Sequence, residues 1–360
     1  MRATRSLTRR ALLGGAAAGF LASAAGAEPD RPLRQRAAAC ALLYGCAAGS
    51  YQLLAADFPQ VLAREAGILV PEYELKRSIV EPSPGHFDFS GADALASFAF
   101  AHGMKMRGHT PVWYASNPPW LDEKVLGAPD DEILTDYVAR LVGRYRGRFH
   151  SWDVVNEALH PEDGRADNLR NCIWLKRFGP EYIDLAYHTA KRADPDTLLV
   201  YNDWGCEGGE AWNDKFRSAT LKFLEGALAR KVPIEALGLQ GHLNAFGPHV
   251  DQRKLRTFLD AVRAMGLRIL VTEHEVDDSG GPLDVAARDR AVADASARFL
   301  DVVLDNDATV AVLTWGLTDR YLRTPTLREK LVGYAPRTLP LDADLKRKPM
   351  WDAIAQAFQR

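Results

Sequence analysis

Short apolar runs rich in β-branched residues alternate along the chain with longer stretches whose apolar residues recur every three to four positions. The short runs predict eight strands: Ala41–Ala47, Ile68–Glu72, Lys105–Thr110, Ser151–Asn156, Thr197–Asn202, Ala236–Gln240, Arg268–Thr272 and Val310–Trp315. Between them the spacing predicts helices over Asp93–His102, Glu132–Tyr145, Pro180–Ala193, Lys215–Arg230, Gln252–Met265 and Arg288–Asp305. In the last of these, Ala291, Ala295, Phe299 and Val302 trace one apolar stripe. Strand–helix alternation repeated eight times predicts an α/β chain folded as a single closed (β/α)8 TIM barrel. An open doubly wound sheet would carry fewer strands and a glycine-rich phosphate turn after the first, and no such turn is present.

The polar residues fall in a pattern of their own. Glu72, His109, Trp113, Asn156, Glu157, Asn202, Gln240, His242, Glu273 and Trp315 all lie at or just beyond the C-terminal ends of predicted strands. In a parallel barrel those ends converge on one mouth, where such folds place their chemistry.

Composition narrows the partners. The 360 residues include 45 basic and 47 acidic side chains with no basic tract, which argues against nucleic acid and suits an uncharged substrate. The N-terminus is different in kind. Arg9-Arg10 precede the apolar stretch Ala11–Ala25, which ends in Ala25-Gly26-Ala27, a small-x-small cleavage pattern. That stretch is shorter than the ~20 residues of a membrane span. Residues 1–27 are therefore expected to be a twin-arginine export signal, and 28–360 a single catalytic domain. The mature protein is expected in the periplasm or secreted, monomeric and with no stable membrane association. The four cysteines lack zinc-type spacing, so no metal is expected. Cys172 and Cys206 fall in loops on the same face, which leaves open either a disulfide or two buried thiols.

Two segments carry acid chemistry. Trp152-Asp153-Val154-Val155-Asn156-Glu157 runs a strand into an amide and a carboxyl group at its tip. Leu270-Val271-Thr272-Glu273-His274-Glu275 does the same at the seventh strand, where the period of two puts Glu273 and Glu275 on one face and His274 on the other. A lone Glu after a strand is more often an ion-pair partner than a catalyst. A pair at opposite sides of one barrel mouth is what a retaining glycosidase needs: two carboxyl groups about 5–5.5 Å apart, one to attack the anomeric carbon and one to donate a proton. A metal site built from His242, Glu273 and His274 is disfavoured because His274 faces away from Glu273.

Gly108-His109-Thr110-Pro111-Val112-Trp113, the Trp152–Leu159 segment, Asn202-Asp203-Trp204, Gln240-Gly241-His242 and Val271-Thr272-Glu273 together resemble glycoside hydrolase family 10, the endo-β-1,4-xylanases, across nearly all of the mature sequence. The resemblance implies a (β/α)8 barrel, hydrolysis of xylan or xylo-oligosaccharides with retention, and no cofactor. It also implies Glu157 as acid/base and Glu273 as nucleophile. His109, Trp113 and Asn156 would bind the sugar next to the cleaved bond, with Trp315 as its aromatic floor and Glu72 and Lys76 as polar contacts on the glycone side. Gln240 would lie near the acid/base. His242 would bond the nucleophile and be steadied by Glu275. Lys348-Pro349 resembles a structural closing motif before the last helix.

Departures from that pattern concentrate around the cleft. Tyr73 replaces an amide, Arg77 an aromatic residue, Tyr114 a frequent histidine and Glu275 the usual aspartate, and the tryptophan expected near Leu322-Arg323 is missing. Loss of an aromatic platform would cost on the order of 1 kcal/mol of sugar affinity, so altered xylan recognition is expected. Two other functions fit less well: a barrel glycosidase acting on another β-linked polysaccharide, and a non-catalytic glycan-binding protein.

Overall fold

The computed structural model describes residues 31–322 and 333–359. Residues 1–27, where an export signal is expected, and Arg323 lie outside the described residues. Nine parallel strands run β1 (Leu43–Ala48), β2 (Ile68–Pro71), β3 (Lys105–Trp113), β4 (Ser151–Asn156), β5 (Leu198–Asp203), β6 (Ala236–Leu239), β7 (His242–Asn244), β8 (Arg268–Asp277) and β9 (Thr309–Thr314). Each of β1 to β5 pairs with the next, β9 pairs with β1 and β8, and β6 pairs with β8, so the barrel closes. The short β7 is an addition. It continues the chain past β6 and pairs along the upper part of β8, aligning His242 with Glu275.

All eight predicted strands form within a few residues of their expected limits. The largest difference is in β8, which extends to Asp277 because β7 gives its upper half a partner. The helices form as expected, with starts set by capping: Glu210 and Asn213 make a reciprocal capping box for Ala211–Ala229, and Asp284 accepts from Ala287 N to start Val285–Asp305. No helix among the described residues is long and apolar enough to cross a membrane.

Apart from the short β7, the strands are largely buried on both faces, which is why they read as continuous apolar runs. Ala47, Ile68, Val70, Val200, Ala236, Leu270, Ala311 and Leu313 form a separate apolar cluster inside the barrel, distinct from the larger core beneath the helices. Two residues further along the same strands stand Glu72, Asn202, Gly238, Thr272 and Trp315. The period of two that fills the barrel floor therefore also delivers polar groups to its mouth. Glycine is required at Gly238, where a Cβ would come within 2.5 Å of Asn202 Oδ1 and 2.9 Å of Thr272 Cγ2.

Candidate active site

Glu273 reaches the mouth through an irregularity. Simple alternation from Leu270 and Thr272 would turn Glu273 outward, but the register between β8 and β9 shifts between Val271 and His274. Such a shift re-aims side chains, and similar ones occur in β3 after His109 and in β4 after Asp153. Glu273 thus points into the mouth, and His274 is turned toward Ser296 on the Val285–Asp305 helix, 2.9 Å away. Glu273 and Glu275 share a face opposite His274, as the sequence predicts.

Three groups hold Glu273. Asn202 Nδ2 donates to Oε1 at 2.7 Å, and His242 Nε2 lies 3.3 Å from Oε2. On its other side His242 Nδ1 is 3.1 Å from Glu275 Oε1. Burial alone would raise the carboxyl pKa of Glu273. The bond from His242, the nearby His109 and the Asn202 amide outweigh it and hold the group at about 2. Burial would likewise depress His242, yet its two carboxylate partners lift it well above the ordinary histidine range. The result is a carboxylate–imidazolium–carboxylate row in which both ring nitrogens donate.

Glu157 is held differently. Its backbone sits in the left-handed region at φ 54°. Its N–H donates to Asn202 O at 2.9 Å, and its carbonyl accepts from Arg170 Nε at 2.8 Å. Its Oε1 accepts from two neutral amides, Gln240 Nε2 at 2.9 Å and Asn156 Nδ2 at 3.2 Å. The Asn156 amide oxygen in turn accepts from Asn202 Nδ2 at 2.9 Å. Glu157 and Glu273 are thus joined through two side-chain amides in series. The Glu273 carboxylate can only accept, which fixes which way the Asn202 amide faces and leaves its Oδ1 to accept from Thr272 Oγ1 at 2.6 Å.

Around this pair, His109 is buried and hydrogen-bonded through Nδ1 to Asp153 Oδ2 at 3.0 Å, and Asp153 is also gripped by the buried Arg107. The His109 ring meets Trp315 edge to face, with centroids 5.4 Å apart. Lys76 Nζ stands 5.1 Å from the Trp113 ring and 5.6 Å from the Trp315 ring, within cation–π range. A cavity of about 650 Å³ opens on the Glu157 side, lined among others by Trp204, Trp212, Gln240 and His242. A smaller one of about 220 Å³ lies beside Glu72, Trp315 and Tyr321. Glu275 borders both.

All the candidate residues therefore collect at one mouth. Sequence reasoning missed the supporting roles of Asn202, Asp153, Arg170 and Thr272. Asn202 had a signal: it stands opposite Asn156 in the β4–β5 register, two asparagines at adjacent strand ends. Asp203 is a further surprise. Burial, with a contribution from the charge of Glu157, pushes its carboxyl pKa well up, although it accepts from Tyr201 and the N–H groups of Leu159 and Trp204. Of the two readings of Cys172 and Cys206, the structure shows free thiols. Cys206 is buried 3.5 Å from Thr220 Oγ1.

The glycosyl hydrolase family 10 model matches residues 32–357. The chain belongs to that family. It is 32% identical over 336 residues to endo-1,4-beta-xylanase B of Thermotoga neapolitana, covering 92% of each chain. It is 33% identical over 299 residues to endo-1,4-beta-xylanase 1 of Humicola insolens, covering 82% of this chain and 66% of that one. The solved structure of native xylanase 10B from Thermotoga maritima superimposes with a TM-score of 0.80 at 28% identity, over 91% of this chain and 98% of that one. A Thermotoga petrophila xylanase 10B solved in complex with xylobiose gives 0.79 at 28% identity, over 91% and 97%.

Family membership sharpens the departures. Arg77 does not remodel the cleft, contrary to expectation. It is buried, pairs with Glu81 at 3.0 Å, donates to Ile133 O and lies 4.0 Å over the Tyr137 ring. A guanidinium can occupy an aromatic position because it stacks as well as pairs. Tyr73 turns its hydroxyl onto Glu72, so that substitution does alter a polar group of the cleft. Tyr114 is exposed, packed edge-on against Trp113 and capped by Arg170 at 4.2 Å. The longer Glu275 still reaches His242. Lys348 is buried against Asp319, which fits a structural closing motif.

Proposed function

We propose that the chain hydrolyses internal β-1,4-xylosidic bonds of xylan or xylo-oligosaccharides with retention of configuration, by double displacement. Glu273 attacks the anomeric carbon while Glu157 protonates the departing glycosidic oxygen. The first step makes a Glu273–sugar ester and breaks the C1–O bond to the leaving chain. Glu157, now ionised, takes a proton from water, which attacks C1 and frees Glu273. His242, Glu275 and Asn202 keep the nucleophile charged and aimed, a task that needs no proton on Glu273. His109, Trp113 and Trp315 enclose the sugar at the reacting centre, and Glu72 and Lys76 meet its neighbour.

One observation carries this reading: two carboxyl groups at the barrel mouth, joined through Asn156 and Asn202, with a cationic partner for one and neutral amides for the other. The names of the relatives support xylan as the substrate. Proton NMR of xylo-oligosaccharide hydrolysis should show the β-anomer first. Prompt release of the α-anomer, or faster cleavage of another β-glycan in a product panel, would reject the mechanism or the substrate respectively. We also propose export through the twin-arginine signal. Replacing Arg9 and Arg10 by lysine should leave the protein in the cytoplasmic fraction.

A further inference from the structure

Gly241 links the two residues that touch the two carboxyl groups. Gln240 donates to Glu157, and His242 pairs with Glu273. Both peptide units flanking Gly241 are gripped by side chains from elsewhere in the fold. Glu207, in the loop after β5 and only 3% exposed, accepts from Gly241 N–H at 2.9 Å. His274, fully buried on β8, bonds Gly241 O through Nδ1 at 2.9 Å. A carbonyl can only accept, so Nδ1 carries the proton. Burial holds this imidazole neutral, at about 4. Nε2 is then an acceptor for the Ser296 hydroxyl at 2.9 Å, which locks ring and tautomer together. Gly241 sits at φ 76°, and a Cβ there would meet Phe299 and Val271 at 3.2 Å.

We propose that Glu207 and His274 are positioning residues that clamp the two peptides around Gly241, and so set His242 against the nucleophile and Gln240 against the acid/base at once. This rests on the assignment of Glu157 and Glu273 above. The clamp explains why His274 is turned out of the mouth although its two chain neighbours face it. Its ring braces, from behind, the turn that carries His242. The charged groups facing His242 are Glu273 and Glu275 from β8 and Glu207 from the β5 loop, with the His274 ring beside them. If the turn loosens, His242 drifts from both carboxylates. Its own pKa then falls, and that of Glu273 rises.

The test is a pair of substitutions read two ways. In His274→Leu the donor to Gly241 O is lost. In His274→Asn the amide nitrogen stands where Nδ1 stood. His242 is titrated by imidazole NMR in the full-length folded protein, and kcat and KM for an aryl β-xylobioside are measured against pH. His274→Leu should lower the His242 pKa, move the acid limb of kcat/KM upward and cut kcat by up to about a hundredfold with KM within about twofold. His274→Asn should restore the titration and most of kcat. A folded His274→Leu protein with an unshifted His242 titration and acid limb overturns the proposal, as does equal damage in both variants. If His274→Leu does not fold, Glu207→Gln and Glu207→Ala serve instead: both remove the charge facing His242 but only Gln keeps an acceptor for Gly241 N–H, so a larger downward shift is expected in the Ala variant, and equal shifts overturn the idea. Wild type inactive on every β-xyloside would sink the functional reading alone, because the NMR titration needs no substrate.

Discussion

Glu157 and Glu273 are the same residue at two strand ends of one barrel, yet their surroundings differ in kind. Glu273 faces a histidine raised by two carboxylates, plus a fixed amide, and is held ionised to about pH 2. The side-chain oxygen of Glu157 meets only neutral amide donors, and its backbone is pinned in a left-handed conformation by Arg170 and Asn202. A charged partner favours a permanently charged nucleophile. Neutral donors leave a carboxyl group able to lose and regain a proton through a cycle. The comparison teaches that neighbours, not residue type, divide the labour.

That contrast can be broken at several points. The largest effect is expected from Glu273→Ala, which should lower kcat on xylo-oligosaccharides on the order of 10⁶-fold, the scale on which enzymes lose rate when a nucleophile is removed. Glu157→Ala should cost about 10²- to 10⁴-fold, measured with poor leaving groups, and much less with an activated aryl leaving group. Asn202→Ala removes the donor shared by Glu273 and Asn156, and kcat should fall about a hundredfold, the scale of one lost positioning contact.

The pH dependence gives the contrast a sign. The lowered pKa of Glu273 contributes stability above its unfolded value near 4.5, lost as pH falls through about 2. The raised pKa of His242 contributes stability below about 6.5, lost as pH rises through its folded value. His242→Gln should therefore move the acid limb of kcat/KM upward and remove the alkaline loss of stability, both readable by titrated kinetics and thermal melts. The smallest effect should come from Glu275→Asp. One methylene fewer weakens a single bond to His242, and kcat should change by no more than about fivefold, the equivalent of one hydrogen bond.

The sequence made the barrel legible because parallel strands buried on both faces leave unbroken apolar runs at near-regular intervals. The mouth was legible because carboxyl, amide, imidazole and indole side chains collect at the C-terminal ends of those runs. What it hid is equally physical. The bridge through Asn202 needs side-chain directions that depend on register shifts in β3, β4 and β8, and a period-of-two reading carries no register shifts. Arg77 looked like a cleft substitution because it stands where the family pattern has an aromatic residue. The short helix it begins turns it instead beneath the loops, against Tyr137. Cys172 and Cys206 share a face, but facing the same way is a weaker condition than the Cα separation of under about 7 Å that a disulfide requires.

The division of labour between the two carboxyl groups is tested most directly by azide rescue of the two alanine variants on an aryl β-xylobioside, with products assigned by NMR. Glu273→Ala should yield the α-glycosyl azide by direct attack, and Glu157→Ala the β-glycosyl azide by attack on the Glu273-bound sugar. The opposite pairing, or the same anomer from both, would contradict the account.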